Sequence, residues 1–206
     1  MAYGLFGYAI DLEHMNAALG SGDETLTQTL LDRFAEPIGL NERWYEAHSG
    51  DQDILPLKQA IQKIVSAPPD SFDNRDANIG YALEILAYHL GEPIRIGRGG
   101  RSALRDITLA EITEILEAAS VHTGPTPLDG GDSLPKGLLL RAVGNIENQA
   151  AYPGTGFLRR NEIARISKDL MSSRIPGAPA QQPWYPLTKL MAGALDQGLD
   201  LITFYY

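Results

Sequence analysis

The chain has 206 residues, of which 44% are hydrophobic and 21% charged, ordinary values for one globular domain with a single core. Cysteine is absent, which excludes disulfides, cysteine nucleophiles and thiolate metal sites and is typical of a reducing compartment. The net charge of −9 argues against nucleic-acid binding, because most of the surface would repel phosphates.

The first predicted element is a strand over residues 3–10, Tyr3-Gly-Leu-Phe-Gly-Tyr-Ala-Ile10. The last eight residues, Leu199-Asp-Leu-Ile-Thr-Phe-Tyr-Tyr206, form a comparable run that is rich in strand-favouring residues. Strands that are apolar on both faces are typical of the middle of a covered sheet. We therefore predict that these two segments pair side by side at the centre of a sheet. Gly198 is expected to end the preceding helix in a left-handed cap.

Helices are predicted between the first strand and residue 91. Ser21 and Glu24 have the spacing of a capping box, which predicts a helix start. Pro37 is predicted to interrupt that helix, and a short helix with Leu40 and Trp44 in register follows over residues 40–48. The most regular helical pattern predicts a central core helix. Its apolar residues are Ile79, Leu83, Leu86 and Leu90.

Four arginines follow the central helix: Arg95, Arg98, Arg101 and Arg105. Residues 93–96 are predicted as a short edge strand and residues 97–101 as a loop, because glycine-rich segments favour neither helix nor strand. Guanidinium groups beside exposed backbone amides could hold a phosphate or a carboxylate. The stretch matches neither the phosphate-loop pattern nor a dinucleotide fingerprint. A surface loop whose arginines pair with acids elsewhere is the simpler interpretation.

The second half of the chain is predicted to be mostly helical. Thr108 and Glu111 again have capping-box spacing. Residues 124–137 are rich in proline and glycine and form the predicted seam between two lobes. Residues 138–143 fit either a strand or a helix, and we prefer a helix. The remaining predicted elements are a turn at 152–156, a helix at 161–171 and a last helix before the terminal strand.

These elements predict a helix-rich α+β fold of the broad α/β class. A small central sheet pairs the N- and C-terminal strands, and about seven helices cover it. We treat residues 1–206 as one domain. No window approaches the roughly eighteen uninterrupted apolar residues of a membrane span. No basic segment precedes a long apolar run near the N-terminus, so we expect no secretory signal, no membrane partner and a cytoplasmic location.

No catalytic or metal-binding motif is apparent in the sequence. The four histidines are far apart, and none has a second histidine at helical spacing: His14, His48, His89 and His122. No serine lies in a nucleophile elbow between a strand and a helix. We therefore expect no metal and no cofactor, and we lean against an enzyme.

Three segments resemble YfbM-like bacterial proteins of unknown function. Gly4-Leu-Phe-Gly-Tyr-Ala-Ile-Asp-Leu12 is similar to their opening, and the stretch from Pro186 through Gly198-Leu-Asp-Leu-Ile-Thr-Phe204 is similar to their closing helix and strand. Tyr81-Ala-Leu-Glu-Ile-Leu86 is similar to their central leucine-rich helix. The resemblance implies a compact α/β cytosolic domain and supplies no catalytic residues.

The charge distribution suggests two hypotheses of function. Residues 1–92 contain fifteen acidic and five basic residues, a balance that would attract a basic protein. The preferred hypothesis is a non-enzymatic bacterial binding protein that neutralises or regulates a basic partner, as an immunity protein does. Its predicted contact residues are Asp23, Glu24, Glu42 and Glu46. The alternative is an enzyme or ligand-binding domain that holds an anionic small molecule at the arginine-glycine loop, residues 95–105.

Overall fold

A single sheet with helices on both faces forms the protein. The computed structural model describes residues 4–48, 55–68, 76–95, 104–105, 108–124, 127–144, 146, 153–172 and 184–206. Within these residues the sheet has five antiparallel strands and is covered by nine helices, against about seven predicted. The architecture confirms the predicted helix-rich α+β class.

The N- and C-terminal strands lie at the centre of the sheet, as predicted. The strands are β1 (Gly4–Ile10), β2 (Glu92–Pro93), β3 (Leu104–Arg105), β4 (Gly154–Leu158) and β5 (Asp200–Tyr205). Their order is β2-β1-β5-β4, and β3 pairs with the other end of β1. In the central pair, Phe6 lies opposite Phe204 and Tyr8 lies opposite Ile202. Gly198, just before β5, has the predicted left-handed backbone, with φ of 70°.

The helices divide between the two faces of the sheet according to their place in the chain. They are α1 (Leu12–Ala18), α2 (Glu24–Arg33), α3 (Ala35–His48), α4 (Leu57–Ser66), α5 (Ala77–Leu90), α6 (Leu109–Thr123), α7 (Leu134–Leu139), α8 (Arg160–Ser172) and α9 (Tyr185–Asp196). Helices α1 to α5 supply the core on one face, and α6 to α9 supply the core on the other. The chain therefore changes face between α5 and α6, and the lobe seam at 124–137 stays a prediction.

Alternation along β5 places large side chains in both cores. Phe204 packs in the core of α1 to α5 and Tyr205 in the core of α6 to α9, because successive strand residues point to opposite faces. Their side chains are 0% and 1% exposed. Leu86 of α5 is also fully buried, so the predicted central helix does face the core.

The turn predicted at 152–156 is wrong, because residues 154–158 form β4. Glycines within a strand weaken its pattern in the sequence. Here the backbone of α7 lies directly against the strand: a Cβ atom at Gly156 would lie 2.3 Å from the carbonyl oxygen of Gly137 and 2.7 Å from the nitrogen of Leu139. Only a residue without a side chain permits this approach.

Residues 138–143 are divided between two structures. Leu138 and Leu139 form the end of α7, which begins after Ser133. Val143 instead forms an isolated antiparallel bridge with Ile146. The preference for a helix is therefore right only for the first two residues of the segment.

Two helix starts differ in how well the sequence predicts them. The capping box of Thr108 and Glu111 is present at the start of α6, as predicted. The box predicted for Ser21 is wrong, because Asp23 is the N-cap of α2 and its carboxylate accepts from the backbone N–H of Leu26 at 2.9 Å. The interruption predicted at Pro37 and the helix start predicted at residue 40 are wrong, because α2 ends at Arg33 and α3 begins at Ala35. Pro37 lies in the first turn of α3, where its missing N–H costs little.

Candidate functional site

Helix α3 carries two large apolar side chains on its outward side. The Leu40 side chain is 55% exposed and the Trp44 side chain 49%. Four residues apart, they lie one turn from each other on the same side of the helix. Ile38, which is 5% exposed, faces the core about 200° around the helix from Leu40. The sequence places Leu40 and Trp44 in register, but it does not show that their side faces outward.

An asparagine pair fixes the orientation of α3. The Asn41 side chain donates to Oδ1 of Asn78 at 3.3 Å and accepts from the backbone N–H of Leu57 at 3.0 Å. Asn78 is 4% exposed and donates to the carbonyl oxygen of Leu55 at 2.6 Å. Buried amides are costly when unpaired. The network therefore holds the Asn41 side of the helix inward and leaves Leu40 outside.

Glu36 extends the exposed stripe of α3 by one turn. It lies four residues before Leu40 and is itself exposed. We refer to Glu36, Leu40 and Trp44 as the α3 face. The helix as a whole contains three glutamates and one arginine, and Glu36 forms no salt bridge with any residue that the structure describes. Arg43 is exposed as well and lies three residues after Leu40, so this side of α3 combines apolar surface with one charge of each sign.

None of the four predicted contact acids belongs to the α3 face, and Glu42 lies about 200° around the helix from Leu40. Asp23 and Glu24 are exposed at the start of α2, and Glu42 is half-buried on α3. Glu46 also belongs to α3, but its side chain lies outside the described residues. Because Asp23 caps α2, it has a structural role that the charge pattern does not reveal. Glu36 was missed by the sequence analysis, although its spacing from Leu40 could have indicated it.

Arg33, at the end of α2, does not neutralise these acids. Its guanidinium lies 5.6 Å from the ring centre of Phe34 and 5.4 Å from that of Tyr88. It also donates to Nδ1 of His89 at 3.0 Å. Burial, and next the charge of Arg33, lower the pKa of His89 and favour the neutral ring that accepts this bond. The cluster ties α2 to α5.

The arginine-glycine loop lies mostly outside the described residues, as do Arg98 and Arg101. Arg95 is exposed directly after β2. Arg105 belongs to β3, and its side chain is outside the described part. Both short strands pair with β1, so the two flanks of the loop are attached to the same strand. Anion binding by this loop stays a prediction.

A half-buried carboxylate, that of Glu84, links the central strands to α5. Tyr8 donates to Oε1 of Glu84 at 2.7 Å, and Tyr206 donates to both carboxylate oxygens at 2.9 Å. Burial raises the pKa of Glu84, while the two hydroxyl groups act in the opposite direction. Burial also raises the pKa of Tyr8. These hydrogen bonds give Glu84 a structural role, because each of its carboxylate oxygens already has a donor.

The family of the protein is shown by comparison with known sequences. A family model described as a domain of unknown function (DUF7691) matches residues 1–206. The chain belongs to the DUF7691 family. No curated protein and no solved structure matches it significantly.

Membership of DUF7691 supports the prediction of an uncharacterised family and assigns no chemistry to the features above. Within the described part of the chain, no three histidine, aspartate or glutamate residues are grouped so that they could hold a metal ion. None of the described helices has both the length and the apolar character needed to cross a bilayer.

A second carboxylate in this DUF7691 member is also fully occupied. Glu162 is 0% exposed and accepts two bonds from Nη1 of Arg141, at 3.0 and 2.8 Å. It also accepts from the backbone N–H groups of Asp129 and Arg159. Arg141 in turn lies 4.2 Å from the ring centre of Phe157. This ion pair holds α8 against the segment that follows α7, and it leaves no oxygen for a ligand.

Proposed function

We propose that this protein binds a basic protein partner through the α3 face and catalyses no reaction on it. The observation that carries the proposal is the exposure of Leu40 and Trp44 on a helix that contains three glutamates and one arginine. Tryptophan is enriched among the residues that dominate binding energy, particularly where surrounding contacts exclude water. Large apolar side chains of this kind are typical of interaction surfaces when they cluster.

The acidic balance of residues 1–92 favours a positively charged partner. Asp23, Glu24 and Glu36 are exposed on α2 and α3, and residues 1–92 carry fifteen acids against five bases. Such a field speeds the encounter with a basic protein and repels an acidic one. Leu40 and Trp44 would form the apolar core of such an interface, inside a polar rim.

An immunity protein is the specific form of binding protein that we favour. These acidic proteins neutralise a basic toxin or nuclease and need no active site of their own. A bacterial origin, a cytoplasmic location and kinship with YfbM-like proteins are parts of the same proposal. The residues behind that kinship lie mainly in β1, β5, α5 and α9, the elements that build the core.

Affinity capture with matched baits tests the proposal. Purified wild-type protein and a Glu36→Lys/Trp44→Ala variant are immobilised, and proteins retained from the cytosol of the source cells are identified by mass spectrometry. We expect a partner with an isoelectric point above about 9 that the wild type retains and the variant loses.

Two further baits control for charge and for apolar exposure elsewhere. Glu117→Lys reverses an exposed acid on α6, and Met171→Ala removes a side chain on α8 that is 83% exposed. Both should retain the partner. A partner that binds all four baits equally, or one that is acidic, would overturn the assignment to the α3 face.

A further inference from the structure

An open cleft of about 770 Å³ lies where the starts of α1 and α8 meet the start of β5. Its volume is in the range of about 300–1,000 Å³ typical of small-molecule sites. Its polar lining consists of Glu13, Asn16, Arg159, Arg160, Asn161 and Asp200. No residue of the α3 face lines it, so the cleft is separate from the proposed protein-binding surface.

Three backbone N–H groups at this cleft already donate to carboxylates within the protein. The Asp200 carboxylate accepts from the backbone N–H of Arg160 at 2.8 Å and from that of Leu12 at 3.3 Å. The backbone N–H of Arg159 donates to Glu162 at 2.7 Å. The start of α8 therefore offers these amides to no ligand, and recognition falls to the side chains.

Two neighbouring arginines, Arg159 and Arg160, line the cleft. Both are exposed, yet neither forms a salt bridge with a described residue. Arg141, in contrast, is committed to Glu162 at 2.8 Å. Guanidinium groups bind carboxylates and phosphates through paired, charge-assisted hydrogen bonds.

The other wall of the cleft is acidic at one point. Glu13 and Asn16 lie three residues apart on α1, and Glu13 has no salt bridge among the described residues. Asp200 also carries a charge, but the backbone amides of two helix starts offset it. A ligand that fits this distribution has its negative charge at one end.

We infer that the cleft binds an anionic small molecule, whose carboxylate or phosphate is held by Arg159 and Arg160. This site is distinct from the arginine-glycine loop. Ala164, which is exposed on α8 and lines the cleft, marks the space that the body of the ligand would occupy.

Thermal melts with inorganic phosphate, citrate and adenosine monophosphate test the inference. Each probe is titrated at constant ionic strength with sodium chloride, so that general salt effects stay fixed. At about ten times its Kd, at least one probe should raise the Tm by about 3–6 °C, and the rise should saturate. The Arg159→Gln/Arg160→Gln variant should lose this rise. No saturable rise with any probe would overturn the inference.

Three controls assign the effect to the cleft. Arg95→Gln removes an exposed arginine elsewhere and should keep the full rise; its loss would assign the anion to the arginine-glycine loop and overturn the proposal. Ala164→Phe should reduce the rise by filling the cleft, whereas Ala164→Ser should not. Glu13→Gln removes a negative charge and should tighten citrate binding, and weaker binding would contradict the assigned charge arrangement. A rise that persists in the double variant shows binding elsewhere.

Discussion

The hydroxyl group of Tyr206 donates to both carboxylate oxygens of Glu84, although 122 residues separate them in the chain. Tyr206 also stacks on Phe6, with 4.7 Å between the ring centres. The side chain of Tyr206, the residue that follows β5, thus contacts both β1 and α5. Its partner, Glu84, is a half-buried acid whose ionisation should affect the stability of the whole protein.

Stability should therefore depend on pH through Glu84. Since its folded-state pKa is raised, the protonated form is favoured by folding. This contribution is fully present below the unfolded pKa of about 4.3 and is lost as the pH rises through the folded value. Denaturant melts of wild type and Glu84→Gln at several pH values measure the difference. The wild type should lose stability relative to the variant on raising the pH from about 4.

The direction of this difference is the critical result. Tyr206→Phe removes a hydrogen bond that lowers the pKa of Glu84, so the loss should move to higher pH. A stability difference between wild type and Glu84→Gln that does not change with pH would show that the carboxyl group does not titrate in the folded protein over this range.

Two glycine substitutions should have opposite effects. Gly156→Ala places a methyl group 2.3 Å from the carbonyl oxygen of Gly137, a backbone atom that cannot turn aside, so it should destabilise by about 1–3 kcal/mol or more. Gly39→Ala lies within α3, where a Cβ atom meets nothing within 4 Å, and should stabilise by about 0.5–1 kcal/mol. Urea melts give both values. A neutral Gly156→Ala would mean that α7 does not lie against β4 as described.

Removal of β5 should abolish folding. Deleting residues 199–206 takes out a central strand that supplies side chains to both cores. As a graded version, Phe204→Ala should cost about 3–5 kcal/mol. Leu140→Ala, at a position 59% exposed, should change stability by less than about 0.5 kcal/mol. A truncated protein with a cooperative melt would contradict the central place of this strand.

Changes in charge should alter the association rate of the partner, whereas loss of an apolar side chain should alter its dissociation rate. With the captured partner, raising the salt from about 50 to 200 mM should slow association far more than it changes dissociation. Glu36→Lys should mainly slow association, and Trp44→Ala should speed dissociation by about 30-fold if Trp44 is a binding hot spot worth about 2 kcal/mol. Surface plasmon resonance separates the two rates. Equal rates for both variants and wild type would exclude the α3 face.

Asp23 needs different treatment in such experiments. Its reversal to lysine would remove the cap of α2 as well as a charge, and loss of such a cap typically costs about 1 kcal/mol. Glu24 is the better choice, because it is exposed in the same turn and accepts no capping bond in the described structure.

The sequence predicts the sheet centre well because its signal is local. Each terminal segment is apolar on both faces, which only a covered central strand satisfies. The strand β4 could not be predicted in this way. Its glycines fit a strand because α7 approaches it closely, and a five-residue segment of sequence does not reveal that contact. Gly156 resembles a turn residue in the sequence because it has no side chain, and the same property allows the backbone of α7 to lie against β4.

The candidate sites depend on contacts between distant residues and were predicted less completely. The acidic character of residues 1–92 is a matter of composition, and it indicated α2 and α3. The outward direction of Trp44 depends on Asn41 and Asn78, thirty-seven residues apart, and periodicity cannot supply that. The cleft at Arg159 and Arg160 requires the junction of α1, α8 and β5, which only the folded chain provides.

The pairing of β1 with β5 also has a consequence for biosynthesis. Residues 4–10 are synthesised well before their central partner, residues 200–205, with the whole intervening chain between them. At typical elongation rates of about 5–20 residues per second, β1 waits roughly 10–40 s for it. During that time the edge of β1 that pairs with β5 stays open, and the core of α1 to α5 lacks the side chains that β5 supplies. Folding of this chain should therefore depend on a holding chaperone.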